Sequence, residues 1–169
     1  MAFFETHFGL PLVATAAGRK HDTVSKWIKR DELVLATADR EKVGRGGGVN
    51  LSARTSLQLA LAAELNKRGL SVPDACEAAI NFAHQGDIAG EMGAKYNRKA
   101  GHLFRDGLTL FMINRENPMA CQVRHFTGKE PLESIRMSLD AIDLEMFFYP
   151  FLSKLGLDAL KAMQEMKAE

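Results

Sequence analysis

Apolar positions recur at helical spacing on both sides of a glycine near the start of the chain. In LVATAAGRKHDTVSKWIKR, Ala14 precedes Gly18 by four residues, while Val24 and Trp27 follow it by six and nine. The spacing predicts two short helices crossing at a tight turn. A small side chain at Ala14 lets the second helix come close, and Gly18 can take the positive φ of the turn at little cost. Val24 and Trp27 put apolar bulk on the inner face; Trp27 is expected in the core, the alternative being an exposed stacking residue. The outer face carries Lys20, His21, Ser25, Lys26 and Lys29, donors suited to phosphates and base edges. Two readings fit, a helix-turn-helix that reads nucleic acid and a plain helical hairpin. The basic outer face favours the first.

Two short apolar runs follow, Leu33–Leu35 and Val49–Leu51, around the polar, glycine-rich stretch ADREKVGRGGG. Paired as strands they form a wing beside the second helix. Arg40, Lys42 and Arg45 lie in its loop, where long cationic side chains reach a backbone or minor groove; a solvated surface loop is the plainer alternative. Ser52 then caps a helix whose stripe is Leu57, Leu61 and Leu65 and whose end is marked by Lys67, Arg68 and Gly69. Ser71, Pro73 and Asp74 start a fourth helix running to near Gln85, with Cys76 as a small core hydrophobe.

The pattern changes beyond residue 85. Glycines punctuate residues 86–107, which read as a linker or hinge with one short helix around Tyr96–Phe104. Leu108–Ile113 and Met119–Phe126 read as the two strands of a hairpin, with Cys121 and Val123 on one face and Gln122 and Arg124 on the other. From Pro131 the spacing turns helical through Leu132, Ile135, Leu139, Ile142 and Met146, and Pro150 is expected to kink or end that helix. A last helix uses Leu157 and Leu160. The expected fold is mainly α with small β elements. A winged helix-turn-helix over 1–85 and a linker over 86–107 lead to an α+β dimerisation or sensor segment over 108–169.

A chain of 169 residues can bury a real core in one domain or two small ones. No apolar run is long enough to span a bilayer, so no membrane partner is expected. The opening MAFFETHFGL is too short and interrupted for a signal peptide. Two cysteines, Cys76 and Cys121, suggest no disulfide framework and a reducing cytoplasm. Net charge is only +1, but its distribution is uneven. Residues 1–70 hold eleven Lys and Arg against seven Asp and Glu; residues 71–169 hold eleven against fourteen. A basic front and an acidic back fit a DNA-binding head joined to a segment with another task.

The stretches LVATAAGRKHDTVSKWIKRDELV and LQLALAAELNKRGLSVPDACEAA, with the glycine-rich loop between them, resemble the DNA-binding domain of the MerR family of regulators over roughly residues 10–85. TVSKWIKRDEL and VGRGGGVNL are also similar to excisionase-like relatives in the same winged superfamily. In that family a helix ending in a glycine and an apolar residue, then a capped helix, packs behind the wing; Arg68–Gly69–Leu70–Ser71 matches. The resemblance implies DNA contacts from Lys20, His21, Thr23, Ser25 and Lys26, with a wing contact from Arg40, Lys42 or Arg45. Where the family's recognition helix is rich in tyrosine, this chain has Lys26–Trp27–Ile28, so no tyrosine contact carries over. The family's long dimerising helix meets Gly86, Gly90, Gly93 and Gly101 here, and no heptad repeat is sustained. Self-contacts are therefore expected within 108–169, at Phe147–Phe151 and Met119–Phe126.

No catalytic constellation is visible: there is no phosphate-cradling loop, no dinucleotide fingerprint and no H-E-x-x-H. Cys121 and His125 sit four apart, a weak metal signal read instead as a buried thiol and an exposed imidazole. The aromatic run Met146–Phe151 reads as core or self-contact ahead of a ligand pocket. No enzyme activity and no cofactor are expected. The leading reading is a sequence-specific transcriptional regulator that binds double-stranded DNA as a homodimer and takes a small-molecule or protein effector at its C-terminal half. Lys29, Arg30, Arg40, Lys42 and Arg45 would contact phosphates or the adjacent minor groove. The alternative is an excisionase-like or phage DNA-packaging factor whose C-terminal part binds protein partners.

Overall fold

Caps and turns set most of the element boundaries, beginning with Pro11 in the first turn of the first helix and Gly18 just past its end. A computed structural model describes residues 2–36, 39, 48–90, 96–129 and 140–167. About half of it is helix and about 15% strand, so the protein is mainly α with small sheets. A strand β1 (His7–Gly9) leads directly into α1 (Leu10–Ala16), and α2 (His21–Lys29) follows. Next come β2 (Asn50–Ser52), α3 (Ala53–Lys67) and α4 (Val72–Ala83). The second half comprises β3 (Leu108–Met112), β4 (Gln122–Phe126), β5 (Ala141–Asp143), α5 (Leu144–Lys154) and α6 (Ala159–Lys167).

The helix α3 is the centre of the molecule. Ser52 caps it by accepting from the Thr55 amide, and Gly69 takes a φ of 106° just beyond its end. Eleven of its fifteen residues are buried, so the Leu57–Leu61–Leu65 stripe is only part of what it hides. Ala60, Ala62 and Ala63 let neighbours approach the remaining faces. Ser71 caps α4 in the same way, and α4 packs along α3. Gln58, fully buried, donates to the Cys76 carbonyl at 3.1 Å and meets the His84 ring at 3.0 Å, so its amide is satisfied between the two helices. Cys76 itself is a core thiol, and burial pushes its pKa up to about 12.

The short apolar run at 49–51 is a strand, but its partner differs from the expected one. β2 pairs antiparallel with β1, with Phe8 opposite Leu51. Leu33–Leu35 is not a strand: Leu33 is buried, and Val34 is 54% exposed. β1 is brought to β2 because it feeds straight into α1, and α1 packs on α3, into which β2 leads. Residues 40–47, with Arg40, Lys42 and Arg45, lie outside the described residues.

The expected hairpin forms, with Leu108 opposite Phe126 and Met112 opposite Gln122, but its second strand begins at Gln122, because Pro118–Ala120 forms a short 3-10 turn. A third strand was missed. Ile142, expected in a helix from Pro131, lies in β5 opposite Phe111 on the other edge of β3. Asp143 then caps α5, accepting from the Glu145 and Met146 amides, so the helix begins at Leu144. The apparent helical spacing had run across that cap; residues 131–139 lie outside the described residues. Pro150 neither ends nor replaces α5 but sits inside it, anchored on both sides by buried Phe148, Phe151 and Leu152. In α6 the inward face is Ala159, Ala162, Met163 and Met166; Leu160 is 64% exposed.

Among the described residues, one core cluster takes in side chains from Phe3 to Met166. Phe82 of α4 stacks on Phe148 of α5 at 5.2 Å. The segment expected as a linker is tied down by Arg98, whose side chain is fully buried. It pairs with Asp87 and donates to the carbonyls of Phe82, Asn81 and Gln85 at 2.9–3.1 Å. Burial pulls the guanidinium's pKa down, and Asp87 opposes the shift. No helix forms over the described part of Tyr96–Phe104; Asp87 and Arg98 instead form an isolated antiparallel bridge. Gly86 is required there, because a Cβ would lie 2.4 Å from the Arg98 carbonyl oxygen.

Candidate nucleic-acid interface

The turn between α1 and α2 has the geometry the spacing implies. Ala14 and Val24 are fully buried, Trp27 is 5% exposed and Gly18 has a φ of 71°. Trp27 is therefore core. Arg19, which no spacing pattern singles out, locks the turn onto α3. Its guanidinium donates to the Ala63 carbonyl at 2.8 Å and to Asn66 Oδ1 at 2.9 Å, and lies 5.6 Å from the centre of the Trp27 ring.

With Val24 and Trp27 facing inward, the helical repeat turns the polar residues outward. Lys20, His21, Lys26, Lys29 and Arg30 are exposed, and Thr23 and Ser25 are half-buried. All seven described members of the expected contact set thus belong to one short helix and its flanking residues. Ser25 Oγ lies 3.4 Å from His21 Nε2, and His21 Nδ1 lies 3.3 Å from Asp22 Oδ1. Asp22, with its side chain 93% exposed, is the one carboxylate within α2, and Arg30 just beyond the helix lies 4.0 Å from Glu32. Asp22 lies in the first turn, where negative charge favours the helix dipole. Lys20 at the N-cap makes no side-chain cap bond, which leaves the positive end of α2 open to an anion.

Asp39 is a second residue that the sequence reading missed. It is 1% exposed, accepts from the Ala36 amide at 2.8 Å and from Thr55 Oγ1 at 2.6 Å, and also holds the Ser52 amide. It therefore fixes the chain after α2 to the start of α3. Its loop setting gave no hydrophobic pattern to reveal it.

The C-terminal candidates are mostly internal. Phe148 and Phe151 are buried core, and so are Cys121 and Val123, leaving Met119, Met146 and Tyr149 as the exposed apolar members of the expected self-contacts. His125 is not the exposed imidazole expected: it is 3% exposed, donates through Nε2 to the Asp106 carbonyl at 2.6 Å and stacks on Phe104 at 4.5 Å. The Cys121 sulfur accepts from the Asn114 amide at 3.3 Å, and burial raises its pKa. Both side chains are thus engaged with the backbone. No described helix is long and apolar enough to cross a membrane.

Comparison with known proteins returns no match, whether to a family, to a curated sequence or to a solved structure.

Proposed function

We propose that the protein binds double-stranded DNA through α2 and acts as a sequence-specific regulator. One observation carries the reading: a nine-residue helix is anchored by Val24 and Trp27 while Lys20, Lys26, Lys29 and Arg30 remain exposed, none of the three lysines being in an ion pair among the described residues. An exposed helix of this size fits the major groove, with cations for phosphates and His21, Ser25 and Lys26 within reach of base edges. The open N-terminus of α2 supplies further donors for a backbone phosphate. Arg19 supports the arrangement without touching DNA, because it fixes the turn from which α2 projects.

The test is selection of bound sequences from random duplexes by the full chain, repeated with Lys20, Lys26 and Lys29 all changed to Gln. A recovered consensus that the triple variant fails to bind, at an unchanged melting temperature, supports the reading. Equal binding by both proteins would place any DNA contact elsewhere.

A further inference from the structure

A groove of about 650 Å³ separates the helix-turn-helix from α5, a volume in the range of small-molecule sites. It is lined by small residues, Ala16 and Gly18 at the turn and Ala60 and Ala63 of α3. One wall is apolar, formed by Met146, Phe147 and Phe151 of α5, and Met146 is left 76% exposed. The polar lining is mainly cationic. Arg19, Lys67 and Lys154 all border the groove, and none is in an ion pair among the described residues. Its single carboxylate, Glu64, is held by Arg68 at 2.8 Å and is thereby neutralised.

We propose that this groove binds a small amphipathic organic anion, its apolar body against Met146 and Phe147 and its acidic head met by Lys67 and Lys154. Charge complementarity selects the head group. A neutral apolar occupant would desolvate cations without compensation, and an organic cation would be repelled. Methionine suits the wall because its flexible, polarisable side chain adapts to differently shaped apolar bodies. The site stands apart from the DNA-binding reading, since none of Lys20, His21, Ser25, Lys26 or Lys29 lines it.

The experiment is a fluorescence titration of the full chain with 1-anilinonaphthalene-8-sulfonate, with decanoate and decyltrimethylammonium as competitors. The expected result is saturable 1:1 binding, displaced by decanoate and not by decyltrimethylammonium. Lys67→Glu combined with Lys154→Glu should weaken it by about tenfold or more. Met146→Glu should act in the same direction. All three positions are exposed, so melting temperatures should hold. Absence of saturable binding, equal displacement by both competitors, or unchanged affinity in these variants would overturn the proposal.

Discussion

Helices α2 and α3 belong to the same half of the chain and are buried to very different extents. In α2, only Val24 and Trp27 are buried; Thr23, Ser25 and Ile28 are half-buried, and His21, Asp22, Lys26 and Lys29 are exposed. In α3, eleven of fifteen residues are buried, including Thr55, Ser56 and Gln58. A helix enclosed on nearly every side has most of its side chains committed to neighbours, so it serves mainly as scaffold. A helix held by two side chains keeps a face for a partner. The difference separates what holds the fold from what is available for function, and substitutions on the two kinds of surface should behave differently.

The largest effect belongs to the inner face of α2. Trp27→Ala should cost roughly 3–5 kcal/mol, because it removes a buried indole and leaves a cavity. Denaturant unfolding of the full chain checks this, and an unchanged midpoint would remove Trp27 from the core. Next comes Arg98, which holds the chain after α4 by its ion pair and carbonyl contacts. Arg98→Met should cost about 3 kcal/mol, since Asp87 and several carbonyls lose their donor. If the cost is negligible, the segment after α4 is not held by this side chain. Both changes should leave the DNA affinity of the folded fraction intact.

On the outer face the order reverses. Lys26→Ala should leave stability within about 0.5 kcal/mol of the parent. Its DNA affinity should fall by roughly 1–3 kcal/mol if the side chain reaches a base, with relaxed sequence preference. A uniform loss across all sequences would make Lys26 a phosphate contact only.

The smallest effect is a pH dependence at the interface of α3 and α4. Burial lowers the pKa of His84 from 6.5, with Arg54 adding to the shift and Asp39 opposing it. The unfolded chain therefore takes up the proton first. Stability from this group is complete above the unfolded value and declines as pH falls below about 6.5, levelling off once the folded protein is also protonated. His84→Gln should flatten that part of the stability profile. A profile unchanged by the substitution would assign the decline to other groups.

The sequence made the local signals legible and the long-range ones obscure. Ala14, Gly18, Val24 and Trp27 encode a turn whose partners lie within fifteen residues, and Ser52 and Ser71 act within one helical turn of themselves. The partner of β2 was not readable, because β1 lies some forty residues earlier and is three residues long. β5 was hidden for a similar reason: a three-residue strand has no periodicity of its own and borrowed the spacing of its neighbours. At the site, exposure of the lysines followed from helical geometry once Trp27 was placed inside. Arg19 and Asp39 could not be found that way, because the partners that define them, Ala63 and Asn66 for Arg19 and Ser52 and Thr55 for Asp39, lie far along the chain. The all-round burial of α3 was likewise invisible, since alanines and a buried glutamine look neutral in a hydrophobic pattern.

The central claim is that the exposed cations of α2 serve a duplex. Its most direct test is the salt dependence of DNA affinity for the full chain. If Lys20, Lys26, Lys29 and Arg30 each neutralise a phosphate, log K should fall against log salt with a slope of about −4, steeper if further cations join them. Replacing Lys29 with Ala should make that slope shallower by about one. An affinity independent of salt, or no duplex binding at low salt, would contradict the account.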